Sequence, residues 1–448
     1  MSRRRRSTGG LPPREIVALQ QQAGALLNAG RLAEALTVAR QILAAQPRRA
    51  DVHAFAGMAA LRLGDAEAAA EHYRAAVQQE PRFFEAHYNL GRALQQLGES
   101  EAAAGAYHGA LAIKPDLAPA HHNLGNALVA LGRHAEAAEA YARTLELAPE
   151  AADSRRNLGL ALHHLGRFDE AEAAYRAVLA ARPDWNEAHN NLTDTLLAKG
   201  DAAGAAGAAA AWLAALPGNV AAMSYHCVAL NELGDKERLR YWLDFERLVR
   251  TRRYEEIPGH DSLADFNAAL VAHVRNHPTL KVPPADDPTY HHPSLWITEE
   301  LLDGDMGPMA TLETLILEAI ADYRATVSAP ADHPFLAHWP ARWRLTAWGV
   351  VLEGEGNLVP HLHLEGYLGG SYYPQLPEVV ADEASKAGWF QLGRPPEAMP
   401  LSAPHETREI QPQEGLMILF PGYYYHATVP FKSEQRRVTI AFDVVAED

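Results

Sequence analysis

Four residues in the last quarter of the chain have the types and the spacing for metal chemistry. His361 and His363 form a His-x-His pair, His426 follows 63 positions after His363, and Arg437 lies 11 positions beyond His426. Three imidazoles from two strand-like segments can provide three ligands to one divalent metal ion, and a guanidinium beside them can bind a carboxylate. We therefore predict a metal site next to an acid-binding site, an arrangement typical of oxygen-activating metalloenzymes.

The composition limits the classes of protein to which the chain can belong. Its 448 residues suggest two or three domains, and 48% hydrophobic residues are enough for buried cores. No apolar run is long enough for a membrane span, and the N-terminus lacks the apolar stretch of a signal peptide, so we expect a soluble cytoplasmic protein with no membrane partner. The formal charge of −16 argues against nucleic-acid binding. The single cysteine, Cys227, excludes an internal disulfide and a cysteine-rich metal site.

The first half of the chain repeats at an interval of 34 residues. Glycines recur at 30, 64, 98, 132, 166, 200 and 234, and prolines recur at 47, 81, 115, 149, 183 and 217. Small residues recur at the same interval, as Gly at 57, 91, 125 and 159 and as Ala at 35, 69, 103, 137, 171 and 205. In this interval and these positions the segment resembles the tetratricopeptide family, which implies an all-α superhelix of stacked helix pairs. We expect a permissive backbone at each turn glycine and a helix end before each proline.

The repeat pattern also predicts the organisation of this half. We expect a disordered basic tail over 1–15, six repeats over 16–219, and a degenerate seventh repeat with a capping helix over 220–254. The second helix of that last unit should span KERLRYWLDFERLVR, residues 236–250.

Two further ladders of residues keep the same period. The first is a row of tyrosines that we predict to pack between helices: Tyr73, Tyr107, Tyr141 and Tyr175. The second is a row of asparagines on the first helix of successive repeats: Asn89, Asn123, Asn157 and Asn191. Side-chain amides on the concave face can pair with the backbone of an extended peptide, or they can bond within and between the repeats themselves. We predict that this row binds a protein or peptide, and that the frequent histidines of the repeats are groove or surface residues.

From about residue 250 the alanine-rich period stops. Residues 261–278 and 309–327 have helical patterns, and a proline-rich segment over 281–296 should be an extended loop. From Trp343 onward short strand-like runs alternate with turns, which predicts an antiparallel double sheet of the jelly-roll kind. We expect this double-stranded β-helix domain, with its supporting helices, to occupy 255–448.

Three segments of this domain carry a second resemblance. NLVPHLHLEGYLGGSYYP, PQEGLMILFPGYYYHATVPF and RRVTIAFDVV, in that order, resemble the core of the 2-oxoglutarate and Fe(II)-dependent oxygenase superfamily, in particular a bacterial branch with a His-x-His motif. The resemblance implies Fe(II) as the metal and 2-oxoglutarate as the co-substrate. It departs from the superfamily at His363, where a carboxylate ligand is usual.

The resemblance assigns roles to individual residues. It implies His361, His363 and His426 as the metal ligands, with Glu365 as an alternative ligand on the same strand face, and it implies no catalytic residue beyond the ligands. Arg437 would pair with the distal carboxylate of 2-oxoglutarate, with Thr439 beside it and Tyr373 in the pocket wall. Arg436 is the competing register for this role, and a salt bridge at the strand end is the structural alternative.

Together these patterns favour a dioxygenase that hydroxylates a protein or peptide held by the repeats. Three alternatives remain open from the sequence. The substrate could be a small molecule, with the repeats used for assembly. The chain could be a non-catalytic scaffold with a degenerate barrel. The three histidines could also serve a cupin-like dioxygenase that does not use 2-oxoglutarate.

Overall fold

The computed structural model describes residues 12–284, 294–327 and 333–447. These residues form two compact units, of which the first ends at Arg182 and the second begins at Pro183. Most of the predicted basic tail and the centre of the predicted proline-rich loop, residues 285–293, lie outside the described residues. The domain boundaries at 219 and 254 therefore stay predictions of the sequence.

Helix pairs at the expected interval build the first unit. Its helices are α1 (Pro13–Asn28), α2 (Leu32–Ala45), α3 (Ala50–Arg62), α4 (Ala66–Gln79), α5 (Phe84–Gln96), α6 (Ser100–Ile113), α7 (Ala118–Ala130), α8 (His134–Leu147), α9 (Ala152–His164) and α10 (Phe168–Ala181). The turn glycines at 30, 64, 98, 132 and 166 all have φ between +70° and +83°, which non-glycine residues rarely adopt. Each second helix ends two residues before its proline. The predicted repeat is thus confirmed in its turns and its helix ends.

The tyrosine ladder packs in the core, as predicted, against glycines of the neighbouring helix. Tyr73, Tyr107, Tyr141 and Tyr175 are 0–1% exposed. A Cβ added at Gly91 would lie 2.5 Å from the ring of Tyr107, and one at Gly125 would lie 2.5 Å from the ring of Tyr141. The small residue of the first helix therefore makes room for the aromatic ring of the second.

Several repeat histidines have a structural partner that the sequence analysis did not foresee. His53, His87 and His121 each place Nε2 within 2.8–3.0 Å of the carbonyl oxygen of the proline six residues earlier. In the second unit, His189 makes the same bond to the Pro183 carbonyl at 2.7 Å. Each of these side chains thus links the first helix of a repeat, by a hydrogen bond, to the segment that precedes the helix.

The second unit begins with helices α11 (Asn186–Ala198), α12 (Ala202–Ala215), α13 (Val220–Leu233), α14 (Lys236–Trp242) and α15 (Phe245–Leu248). The prediction of one helix over 236–250 was wrong. The helix is interrupted at Asp244. The carboxylate of Asp244 accepts a hydrogen bond from the backbone N–H of Arg247 and so caps the start of a separate short helix, α15. The chain then turns into strand β1 (Arg250–Arg253), which pairs with a distant strand.

The remaining elements alternate helices with a β-rich region. The helices are α16 (Leu263–Asn276), α17 (Met309–Thr326) and α18 (Pro334–Ala337). The strands are β2 (Leu295–Ile297), β3 (Trp343–Leu352), β4 (Glu355–Gly356), β5 (Gly366–Gln375), β6 (Phe390–Leu392), β7 (Arg408–Ile410), β8 (Leu416–Pro421), β9 (His426–Thr428), β10 (Phe431–Lys432) and β11 (Arg437–Ala446). The predicted helices over 261–278 and 309–327 are confirmed by α16 and α17.

These strands form a six-stranded sheet of order β1-β8-β5-β11-β3-β2, a three-stranded sheet of order β7-β6-β9, and the pair β10-β4. Strand β11 lies in the middle of the large sheet and pairs antiparallel with β3 on one side and with β5 on the other. Its residues from Arg437 to Val444 are buried, with the exception of the half-buried Ala441. The fold is therefore a tetratricopeptide helix array with a C-terminal β-rich domain, while the jelly-roll connectivity stays a prediction.

None of the helices in the described ranges combines the length and the apolarity needed to cross a lipid bilayer.

Candidate metal centre

Backbone pairing brings the three predicted ligand histidines together. His361 and His426 form an isolated antiparallel bridge, in which the N–H of each donates to the carbonyl of the other at 3.0 and 3.1 Å. His363 follows two residues later and lies just before a turn that leads into β5. The expectation that His361 and His363 lie on a regular strand was wrong, since only the single bridge residue pairs, but the chain still presents both rings to one point.

The three imidazoles have potential ligand atoms that lie within 4.8 Å of one another. His361 and His426 are each 6% exposed, and His363 is half-buried. The pKa of His426 is held well below its usual value, mainly by burial and then by the other two imidazoles, so its ring is neutral and able to donate a lone pair.

Hydrogen bonds at Nδ1 determine which nitrogen of each ring can bind a metal. His361 Nδ1 lies 2.7 Å from the Val359 carbonyl oxygen, and His426 Nδ1 lies 3.3 Å from the Tyr424 carbonyl oxygen. A carbonyl only accepts, so Nδ1 carries the proton in both rings, and Nε2 keeps its lone pair. This arrangement prepares a set of Nε2 ligands.

The hydrogen-bond partner of the third histidine, His363, is a carboxylate and not a backbone carbonyl. His363 Nδ1 lies 3.0 and 3.1 Å from the two oxygens of Asp443, which is 5% exposed on β11. Nε2 of His363 is buried and has no hydrogen-bond partner in the described residues. Asp443 was not among the residues predicted for the site, although the alternation on β11 from Arg437 through Thr439 places it on the same face of the strand.

A cavity joins this cluster to the predicted acid-binding residues. It lies between the large sheet and the three-stranded sheet. Its apolar walls include Val350, Leu358, Phe390 and Phe420. Trp348 also lines it and meets the His363 ring edge to face at 5.0 Å between ring centroids.

The cavity is also lined by buried polar atoms that have no hydrogen-bond partner among the described residues. Arg437 is 1% exposed, and its guanidinium lies 5.3 Å from the centroid of the Tyr373 ring. Within the described residues, Arg437 has no ion-pair partner, and Arg437 Nε, Tyr373 OH and Thr439 Oγ1 are all buried without a hydrogen bond. Burial lowers the pKa of Arg437 and raises that of Tyr373. A buried cation surrounded by unused hydrogen-bonding groups fits an anionic ligand.

Other predicted residues lie elsewhere. Arg436 forms a half-exposed ion pair with Glu353, so Arg437 is the arginine of the cavity. Glu365 is exposed and lies outside the histidine cluster. Tyr372 points to α16, where its hydroxyl donates to Asn267 Oδ1 at 2.8 Å.

The asparagine ladder is half-buried at every position. Three of its amides donate hydrogen bonds within the first unit: Asn89 to the Glu85 carbonyl at 2.9 Å, Asn123 to the Tyr88 hydroxyl at 3.3 Å, and Asn157 to Asn126 Oδ1 at 3.0 Å. These amides therefore have partners inside the array already, and Asn191 lies in the second unit.

Comparison with known families gives each half of the chain a match. Residues 21–81, 56–118, 122–184 and 165–220 match the family model described as "Tetratricopeptide repeat". Residues 346–443 match the family model described as "Putative 2OG-Fe(II) oxygenase", and this span contains all three histidines, Arg437 and Asp443. The chain therefore joins a tetratricopeptide repeat array to a domain that matches the family model of a putative 2OG-Fe(II) oxygenase.

Several solved structures are similar to this chain. A crystal structure of MamA is 26% identical and covers 36% of this chain and 94% of its own, with a TM-score of 0.35. A tetratricopeptide repeat protein from Parabacteroides merdae ATCC 43184 is 18% identical, covers 52% and 91%, and has a TM-score of 0.40. YrrB, described as a TPR protein with an unusual peptide-binding site, is 20% identical, covers 41% and 95%, and has a TM-score of 0.39. No curated protein matches the chain.

The oxygenase family implies Fe(II) and 2-oxoglutarate, and the residues present fit both groups. The buried Nε2 atom of His363 and the Nδ1 bonds of all three rings suit a divalent metal. Arg437, which has no ion-pair partner among the residues that the structure describes, suits the distal carboxylate of a dicarboxylic acid.

Proposed function

We propose that the oxygenase domain is a 2-oxoglutarate- and Fe(II)-dependent dioxygenase that hydroxylates a protein or peptide recruited by the repeats. One observation carries the proposal: a cluster of three imidazoles with engaged Nδ1 atoms shares a cavity with a buried guanidinium that has no carboxylate partner in the described residues. A metal site and an anion site in one cavity are what a chelating oxo-acid requires.

Each residue of the cavity has a distinct task in this proposal. His361, His363 and His426 would hold the metal through Nε2, and three protein ligands would allow the co-substrate and dioxygen to bind beside them. Arg437 pairs with the distal carboxylate, while Thr439 and Tyr373 can donate hydroxyl hydrogens to it. When bound, Fe(II) with 2-oxoglutarate and dioxygen supplies the oxidising power for hydroxylation, with succinate and carbon dioxide as products. The apolar walls exclude water from this space.

The test measures succinate formation by the full chain with Fe(II) and 2-oxoglutarate. We expect wild-type protein to form succinate, and His361→Ala and His426→Ala each to reduce the rate at least ~100-fold because a ligand is lost. His338→Ala, on an exposed histidine outside the cavity, serves as the control and should retain the wild-type rate. Absence of iron-dependent turnover in the wild type, with or without cell extract as substrate, would refute the dioxygenase.

Recruitment of a polypeptide by the repeats is a separate part of the proposal. The ladder asparagines are half-buried, and an amide oxygen can accept two hydrogen bonds; that of Asn89 accepts one from Arg92 at 3.2 Å, which leaves one for an extended backbone. We expect substitution of Asn89, Asn123 and Asn157 by Ala to weaken binding to a peptide array by about tenfold or more, since several hydrogen bonds are lost. A matched variant with Glu71 and Glu139 replaced by Ala, both exposed on second helices, should bind as the wild type does. Equal peptide binding by the wild type, the asparagine variant and the glutamate variant would favour a small-molecule substrate.

One specific observation favours a second candidate function. The three clustered ligands are all histidines, as a dioxygenase that does not use 2-oxoglutarate would have. Turnover of a substrate with dioxygen in the absence of 2-oxoglutarate would favour that candidate. The buried cation in the cavity argues for the first proposal, because a ligand set without an anionic co-substrate leaves Arg437 uncompensated.

A further inference from the structure

We infer that Asp443 supplies to the metal site, through His363, the negative charge that the three imidazole ligands lack. This inference rests on the proposed function and deepens it. Asp443 would be a positioning residue: its carboxylate touches a ligand ring, and the ring touches the metal.

Asp443 is a buried carboxylate with one side-chain partner. It is 5% exposed in the middle of the large sheet, where its backbone pairs with Thr346 on β3 and Gly369 on β5. In the described part of the chain, the imidazole of His363 is its only hydrogen-bonding or ion-pairing side chain, and no Lys or Arg lies within ion-pair distance. Burial of a carboxylate is costly unless positive charge lies close to it, and a metal ion at Nε2 of His363 would bring such charge to the ring that Asp443 contacts.

A glycine on β5 provides the space for this carboxylate. A Cβ added at Gly366 would lie 2.6 Å from the carboxyl carbon of Asp443, whereas one at the nearby Gly369 would meet the Phe420 ring first, at 2.9 Å, with Asp443 Oδ1 at 3.4 Å. Neither glycine has a positive φ, so the backbone conformation does not require glycine there. The strand therefore omits a side chain where the acid of β11 needs room, which indicates a built position for the charge.

The charges balance when Asp443 is included. A divalent ion with one carboxylate ligand has a formal excess of one positive charge, and the same ion with three neutral imidazoles and Asp443 has the same excess. Arg437 adds one further positive charge, and doubly ionised 2-oxoglutarate neutralises the sum. A carboxylate on Nδ1–H also increases the donor strength of Nε2 and holds the ring in one orientation.

The test is the affinity of metal-free full-length protein for Co(II), followed through the visible absorption of the bound ion. Asp443→Asn keeps the size of the side chain and removes its charge, so we expect the dissociation constant to rise about 10- to 100-fold. Glu365→Gln removes the same charge from an exposed side chain two residues from His363, and its dissociation constant should stay within about twofold of wild type because solvent screens that charge. The thermal transition of the metal-free proteins checks that each variant is folded.

A second pair of variants separates charge compensation from a merely structural role. His363→Asp places a carboxylate directly at the metal, so Asp443 becomes a superfluous neighbouring charge. Adding Asp443→Asn to this variant should leave Co(II) affinity unchanged or increase it, whereas a structural role for Asp443 predicts a loss in both backgrounds. If His363→Asp binds no Co(II), the comparison of Asp443→Asn with Glu365→Gln decides.

The outcomes distinguish the inference from the proposed function. Wild-type affinity in Asp443→Asn, with succinate formation intact, overturns the inference and leaves the dioxygenase standing. A loss of affinity in Glu365→Gln but not in Asp443→Asn also overturns it and assigns the charge to Glu365. Failure of the wild-type protein to bind Co(II) overturns both.

Discussion

Replacement of Arg437 by Met removes a buried positive charge while keeping a long side chain in the cavity. Without co-substrate, this charge has little compensation: the side chain is 1% exposed, its guanidinium lies 5.3 Å from the centroid of the Tyr373 ring, and the described residues offer it no carboxylate. We expect Arg437→Met to stabilise the protein that lacks co-substrate and to abolish stabilisation by 2-oxoglutarate.

The magnitudes follow from opposing energies. Burial of an unpaired ion costs several kcal/mol, of which a cation–π contact returns about 1–2 kcal/mol. Removal of the charge should therefore gain roughly 1–3 kcal/mol, which corresponds to about 2–6 °C for a unit of this size. Saturation with 2-oxoglutarate at about one hundred times its dissociation constant should add about 2.7 kcal/mol to the wild type, or roughly 5 °C, and nothing to the variant.

Scanning calorimetry of the full chain tests both arms, with Mn(II) in place of Fe(II) so that no turnover occurs. Arg436→Met is the matched control, because Arg436 is half-exposed and its ion pair with Glu353 should contribute only about 0–1 kcal/mol. That control should keep the full response to 2-oxoglutarate. The reasoning fails if Arg437→Met lowers the transition temperature while 2-oxoglutarate still raises it, since the charge would then be satisfied without the co-substrate.

Two further predictions concern the repeats. Gly125→Ala should destabilise the array by about 1–3 kcal/mol in urea unfolding, because the new Cβ would lie 2.5 Å from the Tyr141 ring. Gly105→Ala is the control, because this exposed helical glycine has nothing within 4 Å of an added Cβ. In the same assay Gly105→Ala should be neutral or should stabilise the array by about 0.5–1 kcal/mol. Nε2 of His122 accepts a hydrogen bond from Asn126 Nδ2 at 3.1 Å. Burial lowers the pKa of His122 below its ordinary value. As the pH falls, this imidazole is therefore protonated in the unfolded chain at a higher pH than in the folded protein. Its contribution to the free energy of unfolding should be full above about pH 6.5 and should fall below that pH. The fall in transition temperature between pH 7.5 and pH 5.5 should be smaller in His122→Gln, and an equal fall in both proteins would contradict this assignment.

Local patterns in the sequence predicted most of the helical architecture. Helix ends at the prolines, left-handed turns at the glycines and the buried tyrosines all follow from residues close in sequence, since helical hydrogen bonds and turn dihedrals are local. The same approach failed at residues 236–250. The strand that begins at Arg250 exists because it pairs with β8, more than a hundred and sixty residues away, and nothing in its own sequence specifies that partner.

The sequence by itself determined which residues of this chain could hold a metal and an acid: the His-x-His pair, His426 and Arg437 were evident from type and spacing. Only the tertiary structure decided how they are used. It placed Arg437 and not Arg436 in the cavity, left Glu365 outside, and brought Asp443 to His363 across 80 positions of the chain. The physical reason is that strand pairing and burial decide which charges meet inside a protein, and these are properties of distant segments packed together.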